Sequence, residues 1–179
     1  MNKNKLTIFY WVNWSILLIL LLYDINHMIY NGPIQYYVGK GNIEEVKKYI
    51  SRGGDVNLKL LNEYSLLMVS IENRRYEITQ YLLCNGADPN AINVRGETPI
   101  YKAIEYGDIK SISLLLQHQA NVKINNNSQN MSPLSLAITM GNIDIVKLLV
   151  SNGAKVTKYH LELDTNEKIK ELLTEHLNK

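Results

Sequence analysis

Histidine, cysteine and lysine are the residues of this chain that could bind a metal, act as a nucleophile or hold a phosphate. The four histidines are His27, His118, His160 and His176. No two of them are spaced as a helical metal-binding pair, and no second set of ligands accompanies them. We therefore expect them to be surface or helix-capping residues, and the sequence predicts no metal site.

Two short motifs share features with active sites without completing one. Gly39-Lys40-Gly41 lacks the Gly-Lys-Ser/Thr ending of a phosphate-binding loop and does not follow a strand, so it indicates a helix C-terminus. Cys84 is the sole cysteine and has no histidine or asparagine partner in a recognisable motif, which favours a structural thiol. The serines form no nucleophile elbow. We therefore predict a protein that is not an enzyme and needs no cofactor.

The overall composition fits one globular domain and argues against a nucleic-acid partner. The chain has 179 residues, of which 46% are hydrophobic, and a net charge of +2. That apolar content is ample for a core, whereas a charge this small is too mild to indicate nucleic-acid binding. We expect a monomer without a nucleic-acid partner.

The N-terminus carries a candidate membrane segment. Residues 1–5 are short and basic, residues 6–23 contain no charge, and residues 24–31 form a connector. A helix over 6–23 would reach about 27 Å, close to the roughly 30 Å of a bilayer's hydrocarbon core. Lys3 and Lys5 precede the segment, and no Lys or Arg follows it before Lys40. The positive-inside rule then predicts a single-pass signal anchor with a cytoplasmic N-terminus and the rest of the chain outside the cytoplasm.

Two alternatives to a retained anchor remain open. A cleaved signal peptide has the same charge pattern, but residues 22–27 offer no small residues for cleavage. A helix packed on the rest of the chain is the other alternative, and it predicts a cytosolic scaffold. The anchor model would place the chain in the periplasm of a bacterium, the source we expect, or in the secretory lumen of a eukaryote.

A unit of about 33 residues repeats through the chain. In its clearest copy, Thr98-Pro99-Ile100 begins a helix with a capping threonine and a proline at the first helical position, and Gly107 ends it. Equivalent starts fall at positions 32, 65, 98 and 132. A fixed period with matching landmarks predicts stacked helical repeats. The units are 32–64, 65–97, 98–131 and 132–157, followed by a cap helix in 158–179 that begins with Asp164 as cap and Glu167 reaching back to it.

These landmarks resemble the ankyrin repeat. Residues 98–103, Thr-Pro-Ile-Tyr-Lys-Ala, are similar to that family's Thr-Pro-Leu-His-x-Ala, and residues 86–90 match its Gly-Ala-Asp-x-Asn. The second unit departs from the pattern, because Leu66 replaces the proline and Arg74 replaces the helix-ending glycine. Without that glycine the turn needs a strained residue or another geometry. The resemblance implies an all-α ankyrin-repeat solenoid of four helix-turn-helix repeats with a C-terminal helical cap, here behind an N-terminal transmembrane helix.

The resemblance also implies a protein-binding surface made of the hairpin tips and the concave face of the first helices. In stacked repeats these side chains are not needed for packing between the repeats. The predicted partner-binding residues are Leu61, Asn62, Tyr64, Glu72, Asn73, Val94, Arg95, Glu97, Glu105, Tyr106, Ser128, Gln129, Met131, Thr139 and Met140. The sequence therefore predicts a membrane-tethered protein-interaction module. An inhibitor or immunity-type protein that occludes a toxin or enzyme, and a cytosolic scaffold, are the alternatives.

Overall fold

The computed structural model describes residues 34–125, 131–163 and 166–177, which form helices and contain no β-strand beyond isolated bridges. Up to residue 151 the helices come in pairs, each joined by a tight turn, and hairpin-shaped tips at 57–65 and 90–98 connect the first three pairs. The bounds are α1 (34–40), α2 (Ile43–Ser51), α3 (Leu66–Glu72), α4 (Tyr76–Cys84), α5 (Pro99–Glu105), α6 (Ile109–Gln117), α7 (Pro133–Thr139), α8 (Ile143–Ser151), α9 (Lys158–Glu162) and α10 (Glu167–Leu177). The all-helical repeat architecture is thus confirmed.

Local sequence explains where the first helix of each pair begins. Ser65, Thr98 and Ser132 each accept a hydrogen bond from the backbone amide three residues on, which satisfies one of the amides that a helix start leaves free. Pro99 and Pro133 occupy the first helical turn, where the missing amide hydrogen costs nothing. The predicted cap at Thr98 is confirmed.

The turn between paired helices requires a left-handed residue. Gly41, Gly107 and Gly141 occupy it with φ of 83°, 62° and 68°. In the second repeat Arg74 takes the same place with φ of 54°, which confirms that a strained residue replaces the glycine. A side chain in this conformation is disfavoured because its Cβ lies too close to the following carbonyl oxygen.

Packing between like helices holds the repeats together. First helices pack on first helices from α3 through α5 to α7, and second helices pack on second helices from α2 to α8. One buried layer contains the apolar residues two positions after each repeat start, which are Ile34, Leu67, Ile100 and Leu134, all at most 2% exposed. A parallel layer in the second helices contains Leu82, Leu115 and Leu149, each 0% exposed. The core is therefore a ladder that runs along the stack.

The C-terminal cap is built from two helices, α9 and α10, rather than the single predicted helix. The predicted cap residue Asp164 lies outside the described residues. Asn166 accepts a hydrogen bond from the Ile169 amide at 3.0 Å, so it caps α10. Ile169 and Leu173 are fully buried, because α10 packs on α8 and α9. The other face of α10 is polar and closes the stack toward solvent.

The N-terminal predictions fall outside the described residues. This applies to the basic residues 1–5, the predicted anchor 6–23 and the connector 24–31. Within the described ranges, every helix is too short or too polar to cross a membrane.

The strained turn gives a stability prediction. Arg74→Gly should raise the free energy of unfolding by about 1 kcal/mol, because glycine adopts the left-handed conformation without a Cβ clash. Gly107→Ala is the matched control in the next repeat, where an added Cβ would meet nothing within 4 Å. It should lower that free energy by a similar amount through backbone strain alone. Urea unfolding measures both, and a loss of stability in Arg74→Gly would contradict this account.

Candidate functional site

The first hairpin tip, residues 57–65, presents an apolar side chain on a constrained backbone. Lys59 and Ser65 form an antiparallel bridge, and the Leu60 amide donates to the Tyr64 carbonyl at 2.8 Å. Between them Asn62 has a φ of 61°, which a short polar side chain tolerates. Leu61 stands at the end of this tip with 86% of its surface exposed.

The second tip, residues 90–98, lies directly against the first. The Val94 amide donates to the Asn62 carbonyl at 3.1 Å, so the backbones of the two tips are joined. Val94 is 64% exposed, so each of the two joined tips carries one exposed large apolar side chain. Asn93 shapes this tip internally: its Oδ1 accepts from the amides of Arg95 and Glu97 at 2.9 and 3.0 Å. The tips thus form one apolar edge with a fixed backbone.

A buried ion-pair network lies under the second tip. Lys102 Nζ is 3.1 Å from Glu97 Oε2 and 2.8 Å from Glu105 Oε2. Glu97 Oε2 also accepts from Asn93 Nδ2 at 2.7 Å and pairs with Arg95 Nε at 3.5 Å. The side chains of Lys102 and Glu97 are only 5% and 9% exposed. Sequence reasoning placed Glu97 among the partner contacts, but its carboxylate is occupied by groups that hold the tip on α5.

The charges of this network are stabilised despite burial. Burial by itself raises the pKa of Glu97, but hydrogen bonds from Asn93 and Lys102 and nearby positive charges hold that pKa below its usual 4.5. Burial likewise lowers the pKa of Lys102, but its bonds to Glu105 and Glu97 keep that pKa above the usual 10.5. Both groups therefore stay ionised at neutral pH.

Two tyrosines, Tyr64 and Tyr106, lie near the Glu72 carboxylate at the end of α3. The Tyr106 hydroxyl donates to Glu72 Oε1 at 2.8 Å, and the Tyr64 phenol lies near the same carboxylate. Burial and the Glu72 carboxylate raise the pKa of Tyr106 to about 12, and burial and Glu72 raise the pKa of Tyr64 well above 10.0. Both phenols are thus protonated donors at neutral pH. The structure brings together three predicted site residues, one from each of the first three repeats.

A groove of about 450 Å³ lies between α1 and α3, beside this cluster. Residues on its lining include Tyr36, Lys40, Tyr64, Glu72, Asn73 and Arg75. Sequence reasoning missed Tyr36, Lys40 and Arg75. The repeat period held the signal for Lys40, because positions 40, 73, 106 and 140 are equivalent in the four units and the last three were predicted.

The remaining predicted residues lie further along the stack or outside the described residues. Ser128 and Gln129 belong to the latter group. Met131 is half-buried, and its Sδ accepts from the Tyr101 hydroxyl at 3.8 Å. Thr139 and Met140 are exposed at the end of α7, with Met140 45% exposed. Nothing in the described geometry links Thr139 and Met140 to the groove.

The described ranges hold no cluster of three or more His, Cys, Asp or Glu residues that could hold a metal ion. His160 is buried in the cap, where its Nδ1 accepts from the Thr157 amide at 3.0 Å. Burial lowers its pKa, so it is neutral at physiological pH. This matches the predicted capping role.

Comparison with known proteins places the chain among repeat proteins of viruses and animals. Sequence profiles of ankyrin repeats match residues 49–103 and 90–160, together more than half of the chain. The ankyrin repeat protein FPV244 of fowlpox virus (strain NVSL) is 32% identical over 133 residues, which cover 72% of this chain and 20% of that protein. Alpha-latrocrustotoxin-Lt1a of Latrodectus tredecimguttatus is 33% identical over 116 residues, 64% of this chain and 8% of the toxin. Mitochondrial disaggregase of Bos taurus is 31% identical over 119 residues, 63% of this chain and 17% of the enzyme.

The chain thus spans a fifth or less of each of these relatives. Because they are viral and animal proteins, they give no support to the expected bacterial source.

The buried network predicts a stability change with a pH signature. Lys102→Met should lower the free energy of unfolding by about 3 kcal/mol at neutral pH, because the Glu97 carboxylate stays buried without its main partner. Glu97 stabilises the fold above pH 4.5 and loses this contribution as the pH falls through its lowered pKa, so the difference should shrink below pH 4.5. Urea unfolding across this range measures it.

Lys147→Met is the control for this substitution, since Lys147 is exposed on α8. It should change stability by no more than about 0.5 kcal/mol. An equally small effect in Lys102→Met would show that the network contributes nothing to the fold.

Proposed function

The chain belongs to the ankyrin-repeat family, and on that premise we propose that it is a non-catalytic module that binds a protein partner through its first two tips and the adjoining first helices. Ankyrin repeats generally mediate protein–protein interaction. The observation that carries the proposal is the apolar edge formed by Leu61 and Val94. Large apolar side chains this exposed mark interaction sites when they adjoin one another on an ordered surface.

The backbone of this edge is suited to binding because it is already ordered. The Val94 amide is bonded to the Asn62 carbonyl, and the tip below is held by Asn93 and the Glu97–Lys102 pair. A surface fixed before binding loses less conformational entropy when the partner arrives. The tyrosines beside it extend the edge with the residue type that interfaces favour.

The opposite face of the stack differs in character. On α2, for instance, Lys47 pairs with Glu44 and Lys48 with Glu45 along the exposed side of the helix. Surface pairs of this kind solvate a helix and contribute little else. This contrast supports placing the partner on the tips and first helices.

The proposed edge can be tested by charge insertion. Leu61→Glu and Val94→Glu should each weaken partner binding at least tenfold, about 1.4 kcal/mol, because a carboxylate would be buried against the partner. Ile109→Glu is the matched control, since Ile109 is 41% exposed at the start of α6 on the other face. Proteins retained from host-cell extract by the full chain, by each variant and by the control would be compared by quantitative mass spectrometry.

If the Ile109→Glu control lost retained proteins to the same extent, the effect of the tip substitutions would not be specific to the tips. Retention by both tip variants at the wild-type level would contradict the proposed edge. Turnover of a substrate by the purified chain would contradict the non-catalytic assignment.

We also propose that residues 6–23 tether the repeats to a membrane, with the repeats on the side away from the cytoplasm. The support is the run of uncharged residues that follows Lys3 and Lys5. A reporter that is active only outside the cytoplasm, fused after Lys179, should be active on a full-length chain in the membrane fraction. A shortened, exported chain would indicate a cleaved signal, and an inactive reporter in the soluble fraction would contradict the tether.

A further inference from the structure

The turn between α3 and α4 departs from the other repeats at two adjacent positions. The equivalent dipeptides elsewhere in the stack are Gly41-Asn42, Gly107-Asp108 and Gly141-Asn142. The second residue of each caps the following helix through its side chain. In the second repeat the dipeptide is Arg74-Arg75.

Both arginines cost local stability. Arg74 occupies a left-handed conformation that the other repeats give to glycine. Arg75 precedes α4 without a side-chain cap, because a guanidinium has no acceptor to offer the free amides. Residues that break a local rule without a local gain are concentrated at functional sites.

The two guanidinium groups reach onto neighbouring repeats in opposite directions. Arg75 Nε donates to the Gly39 carbonyl at 2.8 Å, at the end of α1, and the side chain lines the groove together with Lys40. Arg74 Nη2 donates to the Tyr106 carbonyl at 3.1 Å, at the end of α5. Over the ranges that the structure describes, none of these three cations is paired with a carboxylate.

The carboxylate of the groove is already engaged. Glu72 is the one acidic residue on the described lining, and it accepts the Tyr106 hydroxyl at 2.8 Å. The same carboxylate lies close enough to the Tyr64 phenol to raise its pKa. The groove therefore carries two cations, Lys40 and Arg75, against the single carboxylate of Glu72, so positive charge is in excess on the described lining.

We propose that this groove binds an acidic peptide segment of the partner protein. Carboxylates of that segment lie against Lys40 and Arg75 on the groove lining, and its apolar residues reach Leu61 on the same tip as Tyr64. This inference rests on the proposed function and adds the chemistry of the partner. An arginine can pair with a carboxylate through two hydrogen bonds. The Asn or Asp at the equivalent position of the other repeats cannot form such a pair.

Other occupants fit the groove less well. The residues that precede α1 contain a single acidic residue, Asp24, so this segment of the chain lacks the complementary charge. A nucleic acid needs a broad basic surface, whereas this groove includes Glu72 and the chain has a net charge of only +2.

The test is a variant that restores the repeat pattern, Arg74→Gly with Arg75→Asn. Peptides would first be selected from a random display library on the full-length chain. Affinities would then be measured for synthetic Glu/Leu peptides and for Gln/Leu peptides of equal length. We expect acidic peptides to be selected, the Glu/Leu peptide to bind at least tenfold more tightly than the Gln/Leu peptide, and the double variant to lose this preference.

Stability separates binding from a structural role. The double variant should unfold at the same or a higher urea concentration than the wild type, because it regains a glycine and a helix cap. A variant that lost peptide binding and stability together would overturn the inference. Lys147→Asn with Lys155→Asn removes two exposed cations elsewhere and should leave peptide affinity unchanged.

Further outcomes distinguish this inference from the proposed function. Selection of neutral or basic peptides whose binding still depends on Leu61 would overturn the acidic partner and leave the protein-binding face intact. Selected peptides that bind independently of Leu61, Val94 and the groove would contradict both. The acidic-peptide inference would also be overturned if no acidic peptide binds while the chain binds anionic vesicles or RNA, or self-associates in sedimentation. The double variant would have to lose that other interaction.

Discussion

Burial between neighbouring repeats is the constraint on which the structure depends. A single helix pair leaves apolar side chains on both of its flanks, and only another repeat or a cap can cover them. The fully buried ladder through Leu67, Ile100 and Leu134 is the result. Because the buried side chains of one repeat must pack against those of the next, the helix pairs are held in register over the described stack. The first two tips and the ends of the first helices are thereby aligned along one side.

That alignment turns single side chains into a continuous surface. Glu72 and Tyr106 are 34 residues apart in the chain yet share a hydrogen bond, since consecutive repeats place them side by side. The same register brings Arg75 to the Gly39 carbonyl. A repeat protein can vary such positions with little effect on its core, so specificity resides there. The second repeat uses this freedom most, with two arginines where the other repeats have helix-ending and helix-capping residues.

A buried polar network serves a different purpose. Lys102 lies at a position that the fold buries, and an unpaired charge there would be costly. Glu97, Glu105 and Asn93 satisfy it, and their geometry fixes the second tip on α5. Polar groups buried in this way define one conformation of the tip. An ordered tip presents Val94 to a partner without first having to fold.

The sequence by itself determined the repeat period and the starts of the first helices, because capping residues act within a few residues of the chain. It left the turn at Arg74 open between a strained residue and another geometry, and the structure shows the strained residue. It also identified the tip and helix-end positions, including Leu61, Val94 and Tyr106. It did not show that Glu97 is occupied under the tip, nor that Arg75 faces a groove with Lys40. Those arrangements depend on side chains from different repeats meeting across the stack. Only the tertiary structure decides such contacts, because they depend on the distance and orientation between helices that the repeat period alone leaves open.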